Sequence, residues 1–367
     1  MAKLLFLGDL FFDYENIPSD IEKISKYIQK NDYKCILNLE GTLFKSNNKT
    51  KKRGPNLCQS LKVVEVLKKM NVIGVTLANN HTYDYGEESL IKTIELLNQN
   101  NIKHCGAGKN LQEALKPMEL LLNGKKIKIY NFGWNIEETI NATNKKSGSA
   151  PRNEKIIINN IEDKKENDIT ITILHWGFEY NIYPQPIDVN LAHTIIDYKN
   201  VDIILGHHSH CIQAYEKYNG KPIYYSLGNF YFSSRRKGFD KINYSGNIKD
   251  KSNYGLGIVY DLESKKVKKE ILFYYNGRET EIIESWEEKK ELLCDISNFN
   301  SNTKEYKKMV NITKKNKNPI LTDKSLLGYV NLYVNHTYIR IKKFIGNLPV
   351  IRNLKDIVRQ KGEKNEV

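Results

Sequence analysis

The sequence predicts an α/β protein, and two observations carry that expectation. Short apolar runs alternate with helix-periodic segments through the first half of the chain, which implies a largely parallel, helix-covered sheet. The dipeptide Asn123-Gly124, between two strand-like runs, is a two-residue hairpin signal, so antiparallel strands join the parallel ones.

Each element can be justified in order. KLLFLG reads as a first strand running to Asp9, and the following helix opens at Ser19 with Glu22 completing a capping box. KCILNLEG is a strand, LKVVEVLKKM a helix, NVIGVTLANN a strand, EESLIKTIELLNQN a helix and IKHCG a strand. MELLLNGKKIKIYNF is the hairpin. Residues 135–168 are polar, contain Ser147-Gly148-Ser149 and Pro151, and read as a loop or insertion beside the core. The alternation then resumes: DITITILHWG is a strand ending at His175, DVNLAHTIIDYKN a helix, and VDIILGHHSH a strand ending in histidines. KPIYYSLGNFYF is one further strand, and YGLGIVYDL with KVKKEILFYY a closing pair. Beyond about residue 285 the pattern turns to charged helical sequence. The expected division is therefore a domain over 1–285 and a basic, mainly helical extension over 286–367, with an amphipathic stretch from Ser325 to Lys361.

Composition bounds the partners. A chain of 367 residues with 40% hydrophobic residues can bury a sizeable core. The formal charge is +14, and residues 300–367 hold 15 Lys/Arg against 5 Asp/Glu, so most of the excess lies in the extension. Such a tail suits an anionic membrane surface, an acidic polymer or nucleic acid, although no nucleic-acid recognition motif supports the last. The cysteines Cys35, Cys58, Cys105, Cys211 and Cys294 are odd in number and scattered, against both a disulfide framework and a thiolate metal site. The opening MAKLLFLGDLFFDYE meets Asp9 too soon to read as a signal peptide, and no apolar run is long enough to span a bilayer. The expectation is a cytoplasmic protein, peripheral at the inner membrane face if the basic extension docks there.

The chemistry-bearing residues fall at equivalent places. Asp9, Glu40, Asn80-His81, His175 and the run His207-His208-Ser209-His210 each follow an apolar strand-like segment. Strand C-termini form the edge where open α/β sheets bind ligands, so segments distant in sequence converge on one crevice. Carboxylates, an amide and imidazoles together suit Mn²⁺, Zn²⁺ or Fe²⁺. The ligand count fits two metals better than one, with Glu40 as the bridging carboxylate.

The segments GDLFFD (8–13), NLEGTL (38–43), ANNHTYDYG (78–86), HWGFEY (175–180), GHHSHCIQ (206–213) and YSLGNF (225–230) resemble, in that order, the CapA family. These are bacterial capsule and poly-γ-glutamate synthesis proteins, similar in fold to calcineurin-like metallophosphoesterases. The resemblance covers residues 3 to about 275. It implies a metallophosphoesterase-like layered α/β sandwich of mixed sheets with helices outside. It further implies that Asp9 and His210 bind one metal, that Asn80, His175 and His208 bind the second, and that Glu40 replaces the usual bridging Asp. His81 would face the substrate as acid or transition-state stabiliser. Glu179, in HWGFEY, is read separately as reaching the cleft as a catalytic base or a substrate contact. Arg53, Asn229 and His207 are the candidate substrate contacts, His207 having no single role. One departure stands out: the phosphoesterase pattern has a metal-binding His two residues after the first Asp, and here that residue is Phe11. The first site then either binds weakly or recruits Asp13, and two tight metals remain the other alternative. Asp84 is read as the cap of the helix beginning near Glu87 rather than as a histidine partner.

The function expected is metal-dependent hydrolysis or transfer in the biosynthesis of a capsule or anionic surface polymer, with polymer synthase components as partners. A cytosolic phosphodiesterase or phosphatase on a small phosphoester is the alternative the same site permits, and a non-catalytic assembly factor is another.

Overall fold

A computed structural model of the protein describes residues 3–52, 54–133, 139–163, 168–233, 251–285, 292–298, 301, 304, 306–308 and 310. The compact unit that holds them runs Met1–Asn316. Arg53 and the amphipathic stretch Ser325–Lys361 lie outside the described residues.

The strands divide between two sheets. In chain order the first half contains β1 (Lys3–Phe11), α1 (Ser19–Lys30), β2 (Tyr33–Leu39), α2 (Val63–Lys69), β3 (Val72–Thr76), α3 (Gly86–Gln99), β4 (Lys103–Cys105), β5 (Ala107–Gly108) and α4 (Leu111–Ala114). The hairpin β6 (Met118–Leu122) and β7 (Lys125–Gly133) follows, antiparallel as its Asn-Gly turn requires. Then come β8 (Gly148–Ser149), α5 (Glu154–Asn160), β9 (Ile169–His175), α6 (Pro186–Lys199), β10 (Ile203–His207), β11 (Tyr215–Tyr218), β12 (Lys221–Tyr224), β13 (Asn229–Phe232), β14 (Tyr254–Asp261), β15 (Lys266–Tyr275) and β16 (Thr280–Ile283). The first sheet has the order β16-β15-β14-β1-β2-β3-β4, with β13 also paired to β1, and the second β11-β12-β10-β9-β7-β6. Both mix parallel and antiparallel pairs.

Three buried layers follow from this. Ile21, Ile24 and Ile28 of α1, spaced to fall on one helical face, join Val63, Val66 and Leu67 of α2 and Leu90, Ile94 and Leu97 of α3 over the outer face of the first sheet. Val189, Ala192, Ile195 and Ile196 of α6 cover the second sheet, together with Ile296, Tyr306 and Val310 from beyond residue 285. Between the sheets Leu4, Phe6 and Ile258 meet Ile129, Ile171, Ile173 and Leu205. Helix, sheet, sheet, helix is the layered sandwich that the resemblance implies.

Three local expectations are corrected. KPIYYSLGNFYF is two strands: β12 lies in the second sheet and β13 in the first, so the chain crosses between sheets at Tyr225–Gly228. The polar stretch before β9 contains a short strand and α5, whose start is capped by Asn153 accepting the Ile156 N–H. At α1 the residue before the helix is Pro18, no side chain caps the helix, and Glu22 reaches Lys69 instead, 2.6 Å away.

Candidate metal centre

Each site residue is delivered by the end of a strand. Asp9 lies in the last turn of pleat of β1, Glu40 directly follows β2, Asn80 and His81 lie in the turn after β3, and His175 and His207 close the paired strands β9 and β10. The first sheet thus supplies Asp9, Glu40, Asn80 and His81 and the second His175, His207, His208 and His210, and the two edges face one cluster. Within it His208 and His210 hold φ values of 93° and 56°, a left-handed backbone uncommon outside glycine. That turn lets the His208 N–H donate to Asp9 Oδ2 at 3.3 Å while His210 turns back towards the same carboxylate, Nδ1 3.6 Å from Oδ2.

Asp9, Glu40 and His210 are all buried and place ligand atoms within 4.8 Å of one another. Glu40 Oε1 is 3.8 Å from His210 Nε2 and has no hydrogen-bond partner, so a buried carboxylate oxygen stands unsatisfied among other ligand atoms. An orphan of this kind would cost roughly 1–3 kcal/mol if nothing bound there. The donor set therefore fits a divalent cation. Asn229 accepts at Oδ1 from His210 Nδ1, 2.9 Å away, which leaves Nε2 for the cluster. The Asn229 amide in turn donates to the Ser252 carbonyl at 3.1 Å.

A second group lies beside the first. His175 Nε2 is 2.9 Å from Asn80 Oδ1, and the His208 ring packs against His175 with centroids 4.8 Å apart. The 2.9 Å between His175 Nε2 and Asn80 Oδ1 is close enough for both atoms to reach one metal, given metal–ligand bonds of about 2 Å.

Asp9 and Glu40 are electrostatically unequal. Burial raises both carboxyls, but at Asp9 the close approach of His207, Nδ1 2.9 Å from Oδ1, helped by His175 and His210, outweighs it and holds the group well below the usual carboxylate range. Glu40 has no such partner: burial, then the charges of Asp9 and Glu179, push it well above. His175 is pushed well below 6.5 by burial and then by His208, and His81 is lowered by burial although Asp84 opposes it.

Several expected roles change. His207, a candidate substrate contact, is 2% exposed and sets Nδ1 2.9 Å from Asp9 Oδ1, so it partners the carboxylate. Asn229, the other described candidate, orients His210 as above. Asp13 is exposed and outside the buried cluster, its N–H donating to Ser233 Oγ at 2.8 Å, so it does not fill the place of the missing histidine. Phe11 packs on Phe232 at 5.4 Å, which itself meets His210 edge-on at 4.9 Å, so an aromatic wall stands where a ligand was expected. Asp84 does not cap α3: its carboxylate meets His81 Nδ1 at 2.7 Å, the Leu57 N–H at 2.6 Å and Lys52. His81 turns Nε2 towards Glu40 Oε1, 3.9 Å away. Glu179 is half-buried and near enough for its charge to act on Glu40 and His81.

The sequence reading missed Asn38 and Asn79. Asn38 donates to Asp9 Oδ1 at 2.9 Å and to Glu40 Oε2 at 3.4 Å, and Asn79 donates to Asn38 Oδ1 at 3.0 Å. Both sit inside quoted motifs, NLEGTL and ANNHTYDYG, and a polar residue in an otherwise apolar strand end was the available signal. Lys52 was also missed, one residue from Arg53.

Fold and cluster define an α/β sandwich with a carboxylate–imidazole centre suited to divalent metal at its strand ends. The chain belongs to the family described as bacterial capsule synthesis protein PGA_cap, whose model matches residues 3–234. It is 35% identical over 238 residues to the PGA biosynthesis protein CapA of Bacillus subtilis, covering 62% of each chain. It is 30% identical over 216 residues to the capsule biosynthesis protein CapA of Bacillus anthracis, covering 57% of this chain and 52% of that one. The chain thus spans half to three fifths of these relatives' lengths. Among solved structures, NAD nucleotidase of Haemophilus influenzae superposes with a TM-score of 0.44 at 13% identity, over 86% of this chain and 60% of that one. Among the described residues no helix is long and apolar enough to cross a membrane.

Proposed function

We propose that this protein is a metal-dependent hydrolase or transferase in the biosynthesis of an anionic surface polymer of the poly-γ-glutamate type. The observation that carries the proposal is the buried Asp9, Glu40 and His210 cluster with its unsatisfied Glu40 oxygen, set beside Asn80, His175 and His208. The names of the Bacillus relatives support the polymer assignment. Asp9, Glu40 and His210 would hold one divalent ion, Mn, Zn or Fe, and Asn80, His175 and His208 a second. Bound there, the ions would supply Lewis acidity and a water nucleophile at neutral pH. The chain's own part is to keep Asp9 ionised through His207, to hold His210 by Asn229, and to aim His81 at the reacting group.

The test measures bound metal and turnover of an amide-linked glutamate polymer and of a phosphodiester panel, for wild type and Glu40→Ala. Bound metal and polymer cleavage or transfer, both lost in Glu40→Ala, support the proposal. Phosphoester turnover alone moves the protein to the small-substrate alternative. A second reading, an assembly factor for polymer synthase components that docks through the basic C-terminal region, is favoured by Phe11 in place of a ligand. Metal-free protein with no turnover on either substrate class would favour it.

A further inference from the structure

Two loops beside the centre carry lysines and no carboxylate. Between Glu40 and Glu65 the chain has neither Asp nor Glu, and it has none between Glu138 and Glu154. These stretches hold nine Lys/Arg residues, whereas elsewhere in positions 1–299 the acids outnumber Lys/Arg by 38 to 33. The local excess thus runs against the balance of the surrounding molecule. Lys52, Lys62 and Arg152 pair with Asp84, Glu65 and Asp188. Lys45, Lys49, Lys51, Lys145 and Lys146 are exposed, and among the described residues none of the five has a carboxylate partner. Unneutralised charge of one sign, gathered at a crevice, raises the local concentration of ions of the other sign.

Both loops are fastened to the turn that delivers Asn80 and His81. In the first, the Thr50 N–H donates to the Asp84 carbonyl at 2.9 Å, Thr50 Oγ1 to the Tyr83 carbonyl at 2.6 Å, and Asn56 Nδ2 to the Asp84 carbonyl at 2.9 Å. Lys52, buried under the same turn, donates to the Asn80 carbonyl at 3.2 Å. In the second, Ser147 Oγ, one residue beyond Lys146, donates to the Tyr83 hydroxyl at 3.2 Å. The two sets of lysines therefore meet at Tyr83, two residues from His81. Phe44 is the one aromatic residue in either stretch, and it packs against the core of the first sheet. The loops consequently offer a polyanion its counter-charges but no ring on which nucleic-acid bases would stack.

We propose that Lys45, Lys49, Lys51, Lys145 and Lys146 form a binding rim for an extended polycarboxylate chain and lead it to the candidate metal centre beside His81. Lysine suits a repeating polymer, because a point charge on a flexible stem follows a carboxylate without fixing the register of the chain. The proposal deepens the functional assignment above and rests on it for the choice of polymer.

The test reads binding in chelator-treated full-length protein, so the outcome of the metal and turnover measurements does not enter it. Fluorescently tagged γ-linked polyglutamate is titrated at low salt, by anisotropy, against wild type and a variant with the five rim lysines changed to Gln. A control variant has Lys103, Lys126, Lys217, Lys266 and Lys268 changed to Gln: these are exposed, lie at the opposite edge of the sheets, and remove the same charge. Both variants keep the basic residues beyond position 299. The rim variant should bind about ten-fold or more weakly, as the loss of five exposed ion pairs implies, with a shallower salt dependence. The control should stay near the wild type. Equal losses in the two variants would show that net charge alone is read and overturn the proposal, as would an unchanged rim variant. Single-stranded DNA of equal length held by the rim more tightly than the polymer overturns it too. Should the rim variant fail to fold, Lys45, Lys49 and Lys51 are changed together and Lys145 and Lys146 separately, and either set leaving binding unaltered overturns the proposal.

Discussion

At the scale of single residues, Asp9 and Glu40 show how one cluster prepares two carboxyls differently. Glu40 is raised by burial and by the charge of Asp9, so in the metal-free protein it favours its proton. A carboxyl raised in the folded state contributes stability that is full below its ordinary value of 4.5 and is lost as pH rises through the folded value. His175 and His81 act oppositely: both are depressed, so their contribution is full above 6.5 and lost as pH falls. The Glu40→Gln substitution isolates the first effect. Chelator-treated Glu40→Gln should gain stability relative to wild type as pH rises above 4.5, the ordinary value of the carboxyl, read by thermal melts. Because Glu40 must ionise to bind a cation, metal affinity of the wild type should also rise with pH above 4.5, read by competition titration. Asn38→Ala, which unties both carboxylates, should weaken metal binding about 10- to 100-fold in that titration. Away from the centre, Arg152 and Asp188 form a pair with side chains 3% and 1% exposed. Arg152→Met leaves Asp188 buried without its cation and should cost about 3–5 kcal/mol in urea unfolding.

At the scale of elements, a strand presents its terminal side chains with a precision that depends on its neighbours. Asp9 is held by β13 as well as by its own strand: its N–H donates to the Gly228 carbonyl at 2.9 Å, and it pairs in register with Asn229. Gly8 permits that approach, since a Cβ there would collide with the Gly228 carbonyl. Gly8→Ala should therefore cost roughly 1–3 kcal/mol by overpacking and also displace Asp9, seen as lost metal binding in protein that still folds. This is also where sequence legibility ends. The strand-end positions of Asp9, Glu40, His175 and His207 were readable, because apolar runs stop at them. The partners of those residues were not: Lys52 and Arg53 stand side by side in KKRGP, and only the fold of the loop brings Lys52 under His81. Asp84 likewise sits where a helix cap belongs and turns to a histidine instead.

At the scale of the whole molecule, the centre joins two sheets, so whatever binds there ties them together. A ligand that binds only the folded state stabilises it by about 2.7 kcal/mol at 100 times its dissociation constant. Adding Mn, Zn or Fe to chelated protein should raise the melting temperature with a dependence on metal concentration, and Glu40→Ala should abolish the rise. By itself the sequence determined the α/β alternation, the strand ends that carry ligands and the family to which six ordered motifs point, since these rest on local periodicity and spacing. Tertiary structure alone decided that the strands divide between two sheets, that YSLGN crosses between them, and that His207, Asn38 and Lys52 hold the neighbouring side chains. Those assignments depend on which buried donor meets which buried acceptor across tens to hundreds of residues, and spacing along a chain carries no record of that pairing.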